Sequence, residues 1–173
     1  MFLHSKIKRL FLLLLILLTS LVINSCKKEN QSSSIQTLFT AGTWQLASVM
    51  AFNYVGSTLV STDTLNTNCN LIQTFKFTST TCTYTNFDCV TQPAATGQWS
   101  LAQNQLYLQA NVVCKDTTAA GSSKPFLNAA IINLGRFSMV LNTGDIQPNY
   151  SLTAKRRIVQ YGFINQNSLG TSQ

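Results

Sequence analysis

The chain has few of the side chains that carry acid–base or metal chemistry. Its 173 residues include a single histidine, His4, and only five acidic residues. No glutamate follows Glu29, and the four aspartates beyond it are isolated in the sequence. A Ser-His-Asp or Cys-His site is therefore excluded after residue 4, and the sequence gives no support to a two-carboxylate site.

The short motifs that hold phosphates or zinc are also missing. The sequence contains no glycine-rich phosphate loop and no pair of cysteines separated by two residues. We therefore expect no enzyme, no cofactor and no metal site. From residue 35 on the basic residues are scattered, except for Lys155-Arg156-Arg157. Nucleic-acid binding is not expected, because it requires a continuous basic stripe.

The first feature that is present is an export signal. Basic residues up to Arg9 precede an apolar run that begins at Leu10, and Ile23-Asn24-Ser25 then leads to Cys26. This order predicts a lipoprotein signal peptide over residues 1–25, cleaved so that Cys26 carries lipid. An ordinary secretory leader and a retained transmembrane helix are the alternatives. The apolar run is shorter than the roughly 20 residues that a spanning helix needs.

The leader predicts where the protein lies and how it is divided. We expect a lipid-anchored protein of the cell envelope, attached to the outer membrane, on a face that the sequence does not specify. Residues 26–37 lack aromatic residues and periodicity, and are interpreted as a flexible lipidated tether. A single domain is expected over residues 38–165, followed by a disordered tail over 166–173.

Short alternating strands dominate the sequence from Thr43 on. Polar turn residues separate them, and no convincing amphipathic helix interrupts them, which predicts an all-β barrel or sandwich. Eight strands in sequence favour a closed antiparallel up-and-down barrel, which has no free sheet edge. The expected strands span residues 43–52, 70–78, 82–88, 96–101, 105–113, 129–134, 137–142 and 149–157.

Strict alternation also nominates a set of interior side chains. On the first strand it places Trp44, Leu46, Met50 and Phe52 on one face. Seven apolar residues become candidates for the wall and mouth of a ligand cavity: Met50, Phe52, Phe75, Phe77, Leu108, Phe137 and Met139. The alternative is that these side chains simply fill the barrel, since eight strands enclose either packed side chains or one small ligand.

Several of these segments together resemble a known family. Gly42-Thr43-Trp44 is similar to the Gly-x-Trp signature of lipocalins, and Thr96–Leu101 and Lys155-Arg156-Arg157 follow in the expected order. The region 38–158 thus resembles the lipocalin-like domain of lipoproteins from Gram-negative bacteria. The resemblance implies a barrel whose closed end packs a last-strand arginine over the first-strand tryptophan. Strand counting assigns these roles to Arg156 and Trp44, with both arginines solvated as the alternative.

Four cysteines follow Cys26, and an exported protein is expected to form disulfides. Three pairings of Cys69, Cys82, Cys89 and Cys114 are possible. A hairpin about Ser79–Thr81 would bring Cys69 within reach of Cys89, so we predict that bond. The pairing of Cys82 with Cys114 stays open.

Two functions remain as hypotheses. The first is a membrane-anchored exported lipoprotein whose barrel binds a small hydrophobic ligand. The alternative is a structural or interaction lipoprotein, with a filled barrel that meets a surface protein or a glycan and has no small-molecule site. The volume of the interior distinguishes them, since a ligand needs a void of about 300 Å³ or more.

Overall fold

The computed structural model describes residues 31–102 and 105–168. The predicted signal peptide, Cys26 and the first five residues of the expected tether lie outside this range. So do residues 103–104 and the last five residues of the expected tail.

A helix, α1 (Gln31–Thr40), precedes the strands. The prediction of a flexible tether is therefore wrong from Gln31 on. Ile35, Leu38 and Phe39 recur at helical spacing. Phe39 is fully buried in the core of the barrel, and Ile35 packs against that core. On the polar side, the Gln36 amide donates a hydrogen bond to the carbonyl oxygen of Ser79 over 3.0 Å.

Within the described residues, eleven strands follow α1. Eight of them are the barrel strands, which we call staves, and β2 extends the sheet beside β1. The remaining two, β7 and β8, have two residues each and pair with each other in a separate small sheet. Their bounds are β1 (Thr43–Val55), β2 (Thr58–Leu65), β3 (Thr74–Phe77), β4 (Thr81–Thr85), β5 (Ala95–Ala102), β6 (Tyr107–Ala110), β7 (Cys114–Lys115), β8 (Ser122–Ser123), β9 (Ala129–Leu134), β10 (Ser138–Gly144) and β11 (Lys155–Asn165).

The barrel closes because β11 pairs with both β10 and β1. Each stave is antiparallel to the next along the chain, in the order β1, β3, β4, β5, β6, β9, β10 and β11. The sequence prediction of a closed eight-stranded up-and-down barrel is confirmed. We call the end where β1 begins the closed end, and the end where β1 stops and β11 begins the rim end.

Strand β1 changes partner along its length. Its first residues, Thr43 to Gln45, pair with β3, whereas Val49 to Val55 pair with β2. Between the two halves the pairing with β11 shifts by one residue, from Leu46 opposite Phe163 to Ser48 opposite Gly162. Ala47 is thus the extra residue of a β-bulge, and the faces of the strand exchange beyond it.

The last strand lies further along the chain than the sequence predicted. It spans Lys155–Asn165 instead of residues 149–157, and a short 3-10 turn, Gln166–Ser168, continues it. Gln166 and Asn167 hydrogen-bond to Gln45 and to the carbonyl oxygen of Ala41. The expectation that the disordered tail starts at residue 166 is therefore wrong for this turn, because its side chains bond to the closed end.

Candidate functional site

The inside of the barrel is filled by its own side chains. The ring of Phe75 lies 4.2 Å from Phe77 and 4.8 Å from Phe126, and Tyr84 stacks on Phe126 at 5.4 Å, centroid to centroid. Leu108 and Met139 are fully buried in the same core. Four of the predicted cavity residues, Phe75, Phe77, Leu108 and Met139, are therefore core residues.

Two aromatic residues from connections complete this core. Phe126 comes from the segment between β8 and β9, and Phe87 begins a short 3-10 turn, Phe87–Cys89, after β4. Both are buried, and their centroids are 6.1 Å apart. Strand alternation does not predict either residue to be interior, although an isolated phenylalanine in a polar loop such as 122–128 is a recognisable signal.

The other three predicted cavity residues lie elsewhere. Met50 and Phe52 follow the bulge at Ala47, and there Val49 and Ala51 are the buried residues of β1. Met50 and Phe52 therefore point to the outer face, contrary to the prediction. Phe137 is 63% exposed and lines a surface cleft at the closed end. It precedes β10 on a turn, so strand alternation does not govern its direction.

The closed end is sealed by Trp44 and α1. Trp44 is fully buried, as predicted, and its indole nitrogen donates a hydrogen bond to the carbonyl oxygen of Phe39 over 2.9 Å. The Phe39 ring lies 4.9 Å from Phe77 and 5.3 Å from Trp99. A helix, not an arginine, covers this end of the core.

The predicted contact between Arg156 and Trp44 is wrong. Trp44 pairs with Asn165 on β11, whereas Arg156 pairs with Tyr54 at the rim end. The error follows from the bounds of the last strand, because Arg156 lies near its beginning and not at its end. The guanidinium of Arg156 instead lies 3.5 Å from the ring centroid of Tyr150 and 5.3 Å from that of Tyr54.

Around this arginine the rim end has a cleft of about 310 Å³. We call it the rim cleft; it is lined by Asn53, Tyr54, Val55, Val60, Asp145, Lys155, Arg156 and Arg157. It combines three consecutive cations with two exposed valines and the half-buried ring of Tyr54. A cleft of this composition suits a ligand with both an acidic and an apolar part.

A polar network orders one side of the rim cleft. The Asn53 amide donates to a carboxylate oxygen of Asp63 over 2.8 Å, and Arg157 donates to the Asn53 side-chain oxygen over 3.2 Å. Arg157 also forms an ion pair with Asp63 at 3.9 Å. The backbone N–H of Arg157 donates to the Asp145 carboxylate over 2.8 Å. These bonds hold the start of β11 against β1 and β2.

The disulfide forms where it was predicted. Cys69 and Cys89 are bonded, with their Cα atoms 5.6 Å apart, and join the segments that flank the β3–β4 hairpin. Beside Cys69, between β2 and β3, the barrel wall has a notch of about 270 Å³. It is lined by aliphatic residues such as Leu46 and Leu65 and by amides such as Gln73.

Cys82 and Cys114 are free and buried. Burial raises the pKa of Cys82 to about 11 and that of Cys114 to about 12, and for Cys114 the neighbouring Cys82 adds to the effect. Burial likewise raises the pKa of Tyr161 to about 12 and that of Tyr84 well above its ordinary value. These groups are neutral members of the core at physiological pH, and neither thiol is activated as a nucleophile.

The four aspartates of the domain all have structural partners. Asp63 and Asp145 belong to the rim network, and Asp88 accepts hydrogen bonds from the backbone and the hydroxyl of Thr117. Hydrogen bonds from Ser123 and then Thr118 lower the pKa of Asp116. Within residues 31–102 and 105–168, no group of three or more histidine, cysteine or acidic side chains is placed to hold a metal ion.

One further property bears on the membrane. Across the part of the chain that the structure describes, no helix has both the length and the apolar character to cross a bilayer.

Comparison with known proteins agrees with the fold. The family model of the lipocalin-like domain matches residues 40–127, which is just over half of the chain. The chain belongs to the lipocalin-like domain family. The matched region of this lipocalin-like chain runs from the end of α1 to the segment that carries Phe126. No curated protein sequence matches the chain significantly.

Proposed function

We propose that this chain is an exported, lipid-anchored protein of the cell envelope whose filled barrel is a non-catalytic scaffold for binding at its surface. The observation that carries the proposal is the occupied interior. Phe75, Tyr84 and Phe126 contact one another ring to ring in the centre of the barrel. A cargo molecule could enter only by displacing such side chains, and each large aromatic contributes about 3–5 kcal/mol to stability.

The export signal and the fold support a common orientation. The signal order that ends at Cys26 supports processing and lipidation at that residue. Helix α1 begins five positions later and packs on the closed end. The rim end lies on the opposite side of the barrel from this helix, and it would be the surface presented to a partner.

The filled interior is tested with a neutral apolar fluorophore, N-phenyl-1-naphthylamine, and the full chain in a neutral detergent. Wild-type protein should add no saturable binding to that of the detergent alone. The Phe126→Ala variant serves as a matched control with benzene as the probe, because deleting a buried ring leaves an apolar cavity that can take a molecule of about that size. Stoichiometric binding of the fluorophore inside the wild-type barrel would refute the scaffold proposal.

The anchor is tested separately by Cys26→Ala. Processing should stop, and the wild-type protein should carry acyl chains on its first residue and fractionate with membranes. Cys82→Ala is the control, since that thiol lies in the barrel. An unlipidated wild-type terminus in the soluble fraction would contradict the anchor.

A second candidate function is small-ligand binding in the notch beside Cys69. Its aliphatic and amide lining is the one observation that favours it. If a hydrophobic ligand co-purifies with the protein, Leu65→Trp should displace it by occupying the notch. Retention of the ligand by that variant would exclude the notch.

A further inference from the structure

The rim cleft contains two cations that the fold does not use in ion pairs. Among the residues that the structure describes, Arg157 with Asp63 is the single ion pair. Lys155 is exposed. Within the described part of the chain, neither Lys155 nor Arg156 donates a hydrogen bond from its side chain. Asp145, a carboxylate that lines the cleft, accepts the backbone N–H of Arg157.

Arg156 is nevertheless held in one orientation. Its guanidinium lies 3.5 Å from the ring centroid of Tyr150 and 5.3 Å from that of Tyr54, so two aromatic rings fix it by cation–π contacts. Its Nε atom is buried without a hydrogen-bond partner in the described part of the chain. A planar guanidinium that is immobilised but not neutralised is preorganised for a carboxylate or phosphate, since little rotamer entropy remains to be lost.

The neighbouring surface of the cleft is apolar. Val55 is 38% exposed and Val60 is 65% exposed, and both line the cleft with the cations. Val60 is the residue at which the pairing of β2 with β1 shifts, between Leu59 opposite Tyr54 and Ser61 opposite Asn53. A bulge places an extra side chain on the strand, and here that side chain is an exposed valine beside an unpaired arginine.

We propose that the rim cleft binds a small amphiphile whose carboxylate or phosphate group is held by Arg156 and whose apolar part lies on Val60. The inference rests on the proposed function, because it assigns the ligand chemistry of the rim that the scaffold presents. The site lies outside the filled interior, so it needs no cavity in the core.

The test uses butyl phosphate, which carries the charged group and a short apolar chain, with the full chain in a neutral detergent. Binding is followed by ³¹P NMR titration. Butyl phosphate should bind more tightly than inorganic phosphate, and butanol should not compete at equal concentration. Arg156→Gln should weaken butyl phosphate binding about tenfold or more, as expected for the loss of a charged hydrogen-bonding partner.

Two variants separate the cleft from unspecific charge effects. Arg136→Gln removes an exposed arginine at the closed end and should leave the affinity unchanged. Val60→Ser should reduce the affinity for butyl phosphate to that for inorganic phosphate, because it removes only the apolar contact. Near-UV circular dichroism checks that each variant is folded. Equal weakening by Arg136→Gln, or no binding of butyl phosphate by wild type, would overturn the proposal.

The anion could be a free molecule or a lipid headgroup. Chain reconstituted in phosphatidylcholine vesicles is therefore compared with chain in vesicles that also contain phosphatidylglycerol. A lower apparent affinity for butyl phosphate in the second set identifies the headgroup as the occupant of the rim cleft, and an unchanged affinity identifies a free anion. Failure of the scaffold proposal is distinguished by the neutral fluorophore, whose binding does not depend on Arg156.

Discussion

The indole nitrogen of Trp44 donates its hydrogen bond to the carbonyl oxygen of Phe39, and this 2.9 Å contact joins the first strand to the helix that covers the core. Both residues are fully buried. Two elements that are adjacent in the chain thus fold back on each other to seal one end of the barrel.

We predict that Trp44→Phe destabilises the protein by about 1–3 kcal/mol, because the buried carbonyl oxygen of Phe39 loses its partner. Trp44→Ala should cost about 3–5 kcal/mol, since it also leaves a cavity. Chemical denaturation measures both. Phe137→Ala, at an exposed position of the same end, is the control and should change stability by about 0.5 kcal/mol or less. A Trp44→Phe variant as stable as wild type would contradict the role of the hydrogen bond.

The bulge at Ala47 predicts unequal effects of two phenylalanine deletions. Phe75→Ala should cost about 3–5 kcal/mol, because its ring is fully buried among aromatic neighbours. Phe52→Ala should cost less than half of that, since the bulge directs Phe52 to the outer face. The denaturant midpoints of the two variants, compared with that of the wild type, measure these losses of stability. Similar losses would mean that Phe52 belongs to the core after all.

The disulfide should contribute measurably to stability. Cys69 and Cys89 are 20 residues apart, and in the chain-entropy model a loop of this length adds about 3 kcal/mol. The double variant Cys69→Ser/Cys89→Ser should lose about that amount, measured under non-reducing conditions. Adding reductant should lower the stability of wild type but not of the double variant. An equal loss of stability in both proteins would show that the reductant does not act through this disulfide.

The buried thiols should make stability fall at alkaline pH. Their pKa is raised from 9.0 to about 11 for Cys82 and about 12 for Cys114, so the unfolded chain ionises first. Their contribution is complete below pH 9.0 and decreases as pH rises towards these folded-state values. Unfolding midpoints in urea at pH about 8 and about 10.5 measure the decrease.

Tyr84 and Tyr161 act in the same direction above pH 10.0, because burial raises the pKa of both. The variant Cys82→Ala/Cys114→Ala should therefore show a smaller decrease, confined to the range in which tyrosine ionises. A decrease identical to that of wild type would show that the thiols do not titrate with unfolding.

Strand alternation, the number of strands and the register of one hairpin were sufficient to predict the barrel and the disulfide. The hairpin of β3 and β4 is short and regular, so its register could be extended outward to Cys69 and Cys89. The bulge at Ala47 was not predictable in this way. A bulge of one extra residue has no recognisable signal in the composition of β1. It nevertheless reverses the faces of all later residues of the strand, including Met50 and Phe52.

Other features had a signal that was not recognised. The spacing of Ile35, Leu38 and Phe39 is that of an amphipathic helix, although the polar residues around them suggested a tether. Beyond the basic run at Lys155, the alternation of Val159, Tyr161 and Phe163 continues the last strand. The rim cleft could not be predicted, because it depends on which end of the barrel Arg156 occupies.

The pairing of β1 with β11 has a consequence for the time course of folding. These strands lie at opposite ends of the domain sequence, and Trp44 on β1 pairs with Asn165 on β11. Closing so long a loop is entropically costly, and contacts of high sequence separation slow folding. The barrel therefore cannot close until β11 has been synthesised. For the exported chain that we propose, this delay would keep the chain unfolded during passage across the membrane and postpone formation of its core.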